Sequence, residues 1–203
     1  EGLFSVSGTD RALTFNEVAA PAYDRDVAEE LGEFGFAERA HFKPPANTYP
    51  NGCHICELEV DPDTGIITVL GYKVVDDFGR IVNPLLVEGQ IHGGVAQGLG
   101  QALHEHVVYD PESGQLLSGS LVDYTLPRAD HLPSIECKFI EVPCRTNPLG
   151  IKGAGEAGAI AAPAAVMNAL MNALAPRGVT HIDMPATPLA VWQALQTRER
   201  FSH

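Results

Sequence analysis

Asn147-Pro148-Leu149-Gly150-Ile151-Lys152-Gly153-Ala154-Gly155-Glu156-Ala157-Gly158 sets four glycines, one proline and a single carboxylate directly ahead of an Ala-rich apolar run that reads as a helix. Glycine-dense backbone is costly, so it is kept where main chain approaches something closely or takes a positive φ. Three readings of the stretch compete. Gly153-x-Gly155-x-x-Gly158 matches the dinucleotide fingerprint, which needs a buried strand before it and an acid about 20 residues on. Here a turn-like Asn147-Pro148-Leu149-Gly150 precedes it, and the next acid is Asp183, beyond another helix. An ordinary surface loop with a solvated glutamate is the second reading. The third is a catalytic carboxylate, Glu156, presented on a Gly-rich loop that the rest of the chain supports.

The 203 residues suffice for one large or two small domains, and 45% hydrophobic with 19% charged residues is a globular balance. Thirteen basic against twenty-six acidic residues give −13, which speaks against nucleic acid or an anionic membrane as partner. No uninterrupted apolar run approaches the roughly 20 residues of a membrane span, and the N-terminus lacks a signal-peptide layout. A cytoplasmic location is therefore expected. Glu1-Gly2-Leu3-Phe4 begins without methionine, as an internal cut would.

Four cysteines do not suggest a disulfide framework in a chain this long. Cys53-His54-Ile55-Cys56 is a CxxC, but the run to Val60 alternates as a strand. Alternation puts Cys53 and Cys56 on opposite faces. Cys137 and Cys144 offer no second CxxC, so no side-chain metal ligand set is expected.

Cys53–Val60, the turn Asp61-Pro62-Asp63-Thr64-Gly65 and Ile66–Val75 predict a hairpin. Val107–Tyr109 and Gln115–Leu117, around Asp110–Gly114, predict a second one, and residues 134–142 a further strand. Ala159–Leu174 reads as a helix that Pro163 kinks or restarts and Gly178 closes. Thr187-Pro188 is an N-cap and first-turn pair for a last helix, Leu189–Arg198. The fold class is α+β, with β-hairpins packed against Gly/Ala-rich helices.

The helix predicted over Val87 to about His106 is unusual. Ile91, Val95, Leu99 and Leu103 form one apolar ridge, while Gln90, Gln97 and Gln101 fall together on the other side, with Gly94 among them and Gly93 nearby. Interior glycines at 93, 94, 98 and 100 each cost about 1 kcal/mol relative to Ala. Either another element packs closely there, or the amide-lined face presses against a large polar ligand, since Gln both donates and accepts. The ligand reading expects a leucine at Gly94 to cost cofactor before it costs fold.

Gly89–Leu103, Asp123-Tyr124-Thr125-Leu126-Pro127, Asn147–Gly158 and Asp183-Met184-Pro185-Ala186-Thr187-Pro188, in this order, together resemble the C-terminal part of the large subunit of molybdenum hydroxylases. That family takes in xanthine dehydrogenase, aldehyde oxidase and aerobic carbon monoxide dehydrogenase, and the likeness is greatest to the bacterial carbon monoxide dehydrogenase-like large subunits. It runs from about Pro50 to Leu195. The resemblance implies a molybdenum cofactor-binding domain and hydroxylation with oxygen from water, with Glu156 as general base. It further implies cofactor contacts at Gln90, Gly93, Gly94, Gln97, Lys152, Gly153, Ala154 and Gly155. Lys152 is also open to a purely structural role. Molybdopterin cytosine dinucleotide is the implied cofactor, with FAD and [2Fe–2S] clusters on partner subunits in a dimer of heterotrimers.

The family's large subunit is several times longer. Residues 1–50 are accordingly expected to be an irregular entry segment continuing from an N-terminal half, and 51–203 the C-terminal molybdopterin-binding portion, inactive alone. Carbon monoxide, purine, aldehyde and N-heterocycle all stay open as substrates. A non-catalytic scaffold that keeps the fold for assembly is the alternative.

Overall fold

The computed structural model describes residues 2–32, 34–36 and 39–199. The chain forms two compact units, residues 1–43 and 44–203. In the first, β1 (Leu3–Ser5) pairs antiparallel with β2 (Ala12–Thr14), which runs into α1 (Phe15–Ala19). Thr14 and Glu17 close a capping box there. Helix α2 (Arg25–Leu31) starts on the Asp24 side chain and stops at Gly32. Tyr23 meets Phe34 and Phe36 edge-on, at 5.9 and 6.1 Å between ring centres.

The second unit is built on a three-stranded sheet in the order β3 (Asn51–Val60), β4 (Ile67–Asp77), β5 (Ile135–Phe139). β3 and β4 are the expected hairpin, antiparallel, whereas β5 joins β4 in parallel. A parallel pair needs a long crossover, and α3 (Pro84–Leu103) lies in it. A bulge opposite Glu57/Leu58 shifts the alternation of β4. Ile67 and Val69 face inward before it; Tyr72, Val74 and Asp76 face inward after it.

Helix α3 begins three residues before its expected start, because Asn83 caps it and Pro84 occupies its first turn. Its ridge is as anticipated: Ile91, Val95, Leu99 and Leu103 are all buried. Helix α4 (Ala157–Leu174) runs unbroken through Pro163, continues as a short 3-10 turn and ends at Gly178 with φ 76°. With that extension it is long and apolar enough to cross a membrane, at mean hydropathy 1.4. Here Ala162, Val166, Leu170 and Leu174 instead lie buried in the core shared with α3 and the sheet. Helix α5 (Pro188–Glu199) follows the expected Thr187 cap.

The second hairpin reduces to a single bridge, Tyr109↔Leu116, around the Asp110–Gly114 turn. Three residues per side bury too little to extend a ladder. Cys53 is exposed and Cys56 half-buried, as alternation demands, and burial pushes the Cys56 thiol up to about 11. Thiols on opposite faces of one strand cannot converge on one ion. Cys53→Ser with Cys56→Ser should leave bound metal unchanged and cost about 1–3 kcal/mol, chiefly from a hydroxyl at Cys56. Metal analysis and urea unfolding check this, and loss of bound zinc or iron would reverse the assignment.

Candidate functional site

The five glycines inside α3 do three different things. A Cβ on Gly94 would stand 2.7 Å from the Ala159 nitrogen and 2.8 Å from Gly158 Cα, and one on Gly98 2.5 Å from Ala162 Cβ. Gly94 and Gly98 therefore let α4 cross α3 almost backbone to backbone. Gly100 accommodates Glu105 and Pro127, whose atoms a Cβ would meet at 2.1 and 2.7 Å. Gly89 and Gly93 have open space where a Cβ would be. Gly94 is thus corrected from the ligand face to the helix crossing, being buried at the interface with α4. A leucine there strikes the fold first. The exposed face of α3 that remains is Gln90, Gly93, Gln97 and Gln101.

The 147–156 loop is assembled against the end of β4. Asn147 clamps it from within: its Nδ2 donates to the Ile151 carbonyl at 2.9 Å and its Oδ1 accepts from the Ile151 amide at 3.1 Å. Gly79, φ 65°, and Gly150, φ 70°, pass so closely that a Cβ on Gly79 would meet the Gly150 carbonyl oxygen at 2.1 Å. The Arg80 amide donates to that carbonyl and the Lys152 amide to Phe78. Lys152 then turns its ammonium inward onto the Asp77 carboxylate, both side chains about nine-tenths buried. The expectation that Lys152 reaches a cofactor is corrected accordingly: its charge is neutralised inside the fold.

Burial acts to raise the Asp77 carboxyl, but the hydrogen bonds from Lys152, Gly79 and Val142 outweigh it and hold the pKa below its ordinary value. A depressed carboxyl stabilises the fold above the unfolded-state pKa and loses that contribution as pH falls through the folded one. The clamp accordingly persists at neutral pH and releases only below the ordinary carboxylate range.

Beyond Lys152 the loop opens. Gly153 has no atom within 4 Å of where a Cβ would sit, and one on Gly155 would lie 3.8 Å from Gln90 Nε2. The Gly-rich loop and the glutamine face of α3 therefore meet at Gln90. Ala154 packs partly on the core. Among the described residues the amides of Gly153, Ala154 and Gly155 reach no acceptor. They lead straight into α4, whose first-turn amides carry the positive end of the helix dipole. Glu156 occupies the N-cap position without side-chain capping, is exposed, and its carboxylate has no hydrogen-bond or ionic partner among the described residues.

The sequence model of the molybdopterin cofactor-binding domain matches residues 1–133. This chain belongs to the molybdenum hydroxylase large subunits. It is 38% identical over 197 residues to the 6-hydroxypseudooxynicotine dehydrogenase complex subunit gamma of Paenarthrobacter nicotinovorans, covering 96% of the chain and 24% of that protein. It is 45% identical to that organism's nicotine 6-hydroxylase large subunit, over 72% of the chain and 18% of the relative. Against the reconstituted carbon monoxide dehydrogenase of Oligotropha carboxidovorans the TM-score is 0.85 at 30% identity, covering 98% of the chain and 24% of that structure. The chain spans about a quarter of the length of such relatives, and several are named as subunits of larger complexes.

The molybdopterin group fits what this hydroxylase large-subunit chain offers. Gly93 and Gly153 leave unfilled room, the glutamine amides can donate and accept, and unpaired backbone N–H groups line the loop. The residue that sequence reading missed is Asp77, two positions beyond the end of the predicted strand Ile66–Val75. Its signal was there to read, since an acidic pair, Asp76-Asp77, directly ends the apolar run Val74-Val75. Two cavities, of about 500 and 580 Å³, lie elsewhere, lined by residues such as Phe4 and Leu13 in one case and His104 and His131 in the other. The Glu156 loop stands instead on open surface.

Proposed function

We propose that the chain forms one wall of a molybdenum hydroxylase active site, with Glu156 as general base and the cofactor shared with an N-terminal half of the large subunit. The observation that carries this reading is the isolation of Glu156. Among the described residues its side chain caps nothing and pairs with nothing, and unlike other unpaired glutamates such as Glu57 and Glu141 it borders a row of amides without acceptors at the start of a long helix. A scaffold that served assembly alone would have no use for it.

When bound, molybdenum supplies the Lewis acidity and redox chemistry that side chains lack. The chain's own residues hold, orient and move a proton. Gln90 and Gln97 present amides to the pterin edge. The amides of Gly153, Ala154 and Gly155, with the first turn of α4, favour anionic groups. Glu156 Oε accepts the proton of the water that gives its oxygen to the substrate. The cofactor in this reading is the cytosine dinucleotide form, electrons leave through [2Fe–2S] clusters and FAD on partner subunits in a cytoplasmic dimer of heterotrimers, and the substrate is an N-heteroaromatic ring. That substrate class is supported by the names of relatives at 45% and 41% identity, a nicotine 6-hydroxylase and a quinoline 2-oxidoreductase.

Gly153→Val tests the cradle. The position is open, so stability should stay within about 0.5 kcal/mol of the parent, while molybdenum content of the intact large subunit falls by most of its value. A valine variant loaded like the parent would remove the loop from the cofactor site. The 203-residue chain alone is expected to hold no molybdenum after gel filtration, because small-ligand sites enclose about 70–90% of the ligand surface and this face is open.

A further inference from the structure

We propose that Asp77 is the positioning residue of this site: through Lys152 it fixes where the Glu156 loop stands against α3. The inference rests on the reading of Glu156 as base and concerns what holds that base in place. Asp77 ties the end of β4 to two positions far along the sequence. Its Oδ1 accepts from the Gly79 amide at 2.8 Å and from the Val142 amide at 3.1 Å, and its Oδ2 accepts from Lys152 Nζ. Val142 is 65 residues away and Lys152 is 75.

Lys152 is also held by its backbone, whose amide donates to the Phe78 carbonyl at 2.8 Å. One end of the Glu156 segment is thereby fixed at Lys152. The other end is fixed where Gly158 lies against Ile91 and Gly94 of α3. Only Gly153, Ala154 and Gly155 lie between Lys152 and Glu156. A glycine-rich bridge that short has little intrinsic stiffness, so its path is set by its two anchors. One anchor is helix packing. The other is a buried ion pair, which holds direction because neither charge can leave without stranding its partner away from water.

The chemistry also dictates the variant. In Asp77→Asn the remaining oxygen can still accept from Gly79 and Val142, but the amide NH₂ faces the Lys152 ammonium donor against donor. The substitution cuts the link to the loop and spares the links within the sheet. In the intact large subunit, hydrogen exchange at the Ile151 and Lys152 amides should rise about 10-fold or more, while β3 and β4 amides stay near parent rates. In the cofactor-loaded enzyme kcat should fall about 10-fold to 100-fold with KM little changed, as misplacement of a reacting group does. Placed on Glu156→Gln, Asp77→Asn should lower turnover no further, because the residue it positions no longer accepts the proton.

Asp77→Asn with Lys152→Met removes both charges and keeps the lysine stem's bulk, so it loosens the loop without a stranded charge and decides the matter if the single variant does not fold. Unchanged exchange at Ile151 and Lys152, or an equal rise throughout the sheet, would overturn the proposal. So would an undiminished effect of Asp77→Asn on top of Glu156→Gln. If Glu156→Gln itself leaves turnover intact, the base assignment fails, and the exchange data still decide whether Asp77 sets the loop.

Discussion

Glu156→Gln in the assembled, cofactor-loaded enzyme is expected to keep its molybdenum and its fold while losing about 10²–10⁴-fold in turnover, the usual worth of a general base. The retention follows from the surroundings of the side chain. Glu156 is exposed, its side chain makes no hydrogen bond or ion pair among the described residues, and it contributes to α4 only through its carbonyl, which accepts from Ala159 and Ile160 at 3.0 Å. Glutamine is nearly isosteric and keeps that carbonyl, so folding free energy should move by no more than about 0.5 kcal/mol. Loss of turnover cannot then be charged to a collapsed loop. What glutamine lacks is an oxygen able to take a proton. Molybdenum content, thermal unfolding and steady-state rate on the same preparation separate the possibilities. A loaded Gln variant turning over near the parent rate would reduce the loop to a backbone cradle, and a variant that loses its metal would place Glu156 among the cofactor's supports.

What could be read from the residues divides by the range of the interaction. The hairpin, the α3 ridge and the Thr187 cap were legible because each is written in a local period or a capping pair. The β4 bulge was less so: Leu70 and Gly71 look like ordinary alternation until the partner strand shows two residues opposed by one. The α3 glycines show the limit most clearly. A glycine on a helix records that something comes close, and the helical wheel grouped Gly94 with Gln90 and Gln97. The structure turns Gly94 about 40° from Gln90 at 100° per residue, toward Ile91, and α4 occupies that side. Which neighbour comes close is a tertiary fact. Asp77 was hidden for the same reason, since its partners lie 65 and 75 residues on. The exposure of Glu156 on its loop was legible because its signal is local, a carboxylate left alone among glycines.

The helix crossing carries the largest expected stability effect. Gly158→Val would put a Cβ 2.6 Å from the Ile91 carbonyl oxygen, 3.0 Å from Gly94 Cα and 3.1 Å from the Val95 nitrogen. All three are backbone atoms inside α3, so no side chain can swing aside. α3 and α4 must separate, and Ile91, Val95, Ala162 and Val166, each wholly buried, pack in the core beneath that contact. Overpacking of a dense core costs about 1–3 kcal/mol and occasionally more; with rigid partners the cost here should reach about 3 kcal/mol or beyond. That is a large share of the roughly 5–15 kcal/mol that holds a domain folded. The companion substitution is Gly93→Ala, one position from Gly94 but facing open space. It should stabilise the isolated chain by up to about 1 kcal/mol through helix propensity alone. Urea unfolding of the two variants measures both, and opposite signs are expected. Were Gly158→Val tolerated, the backbone approach of α3 and α4 would not be what holds the Glu156 loop at its helical end. Were Gly93→Ala as damaging, the exposed face of α3 would itself be packed against protein, leaving no room there for a cofactor.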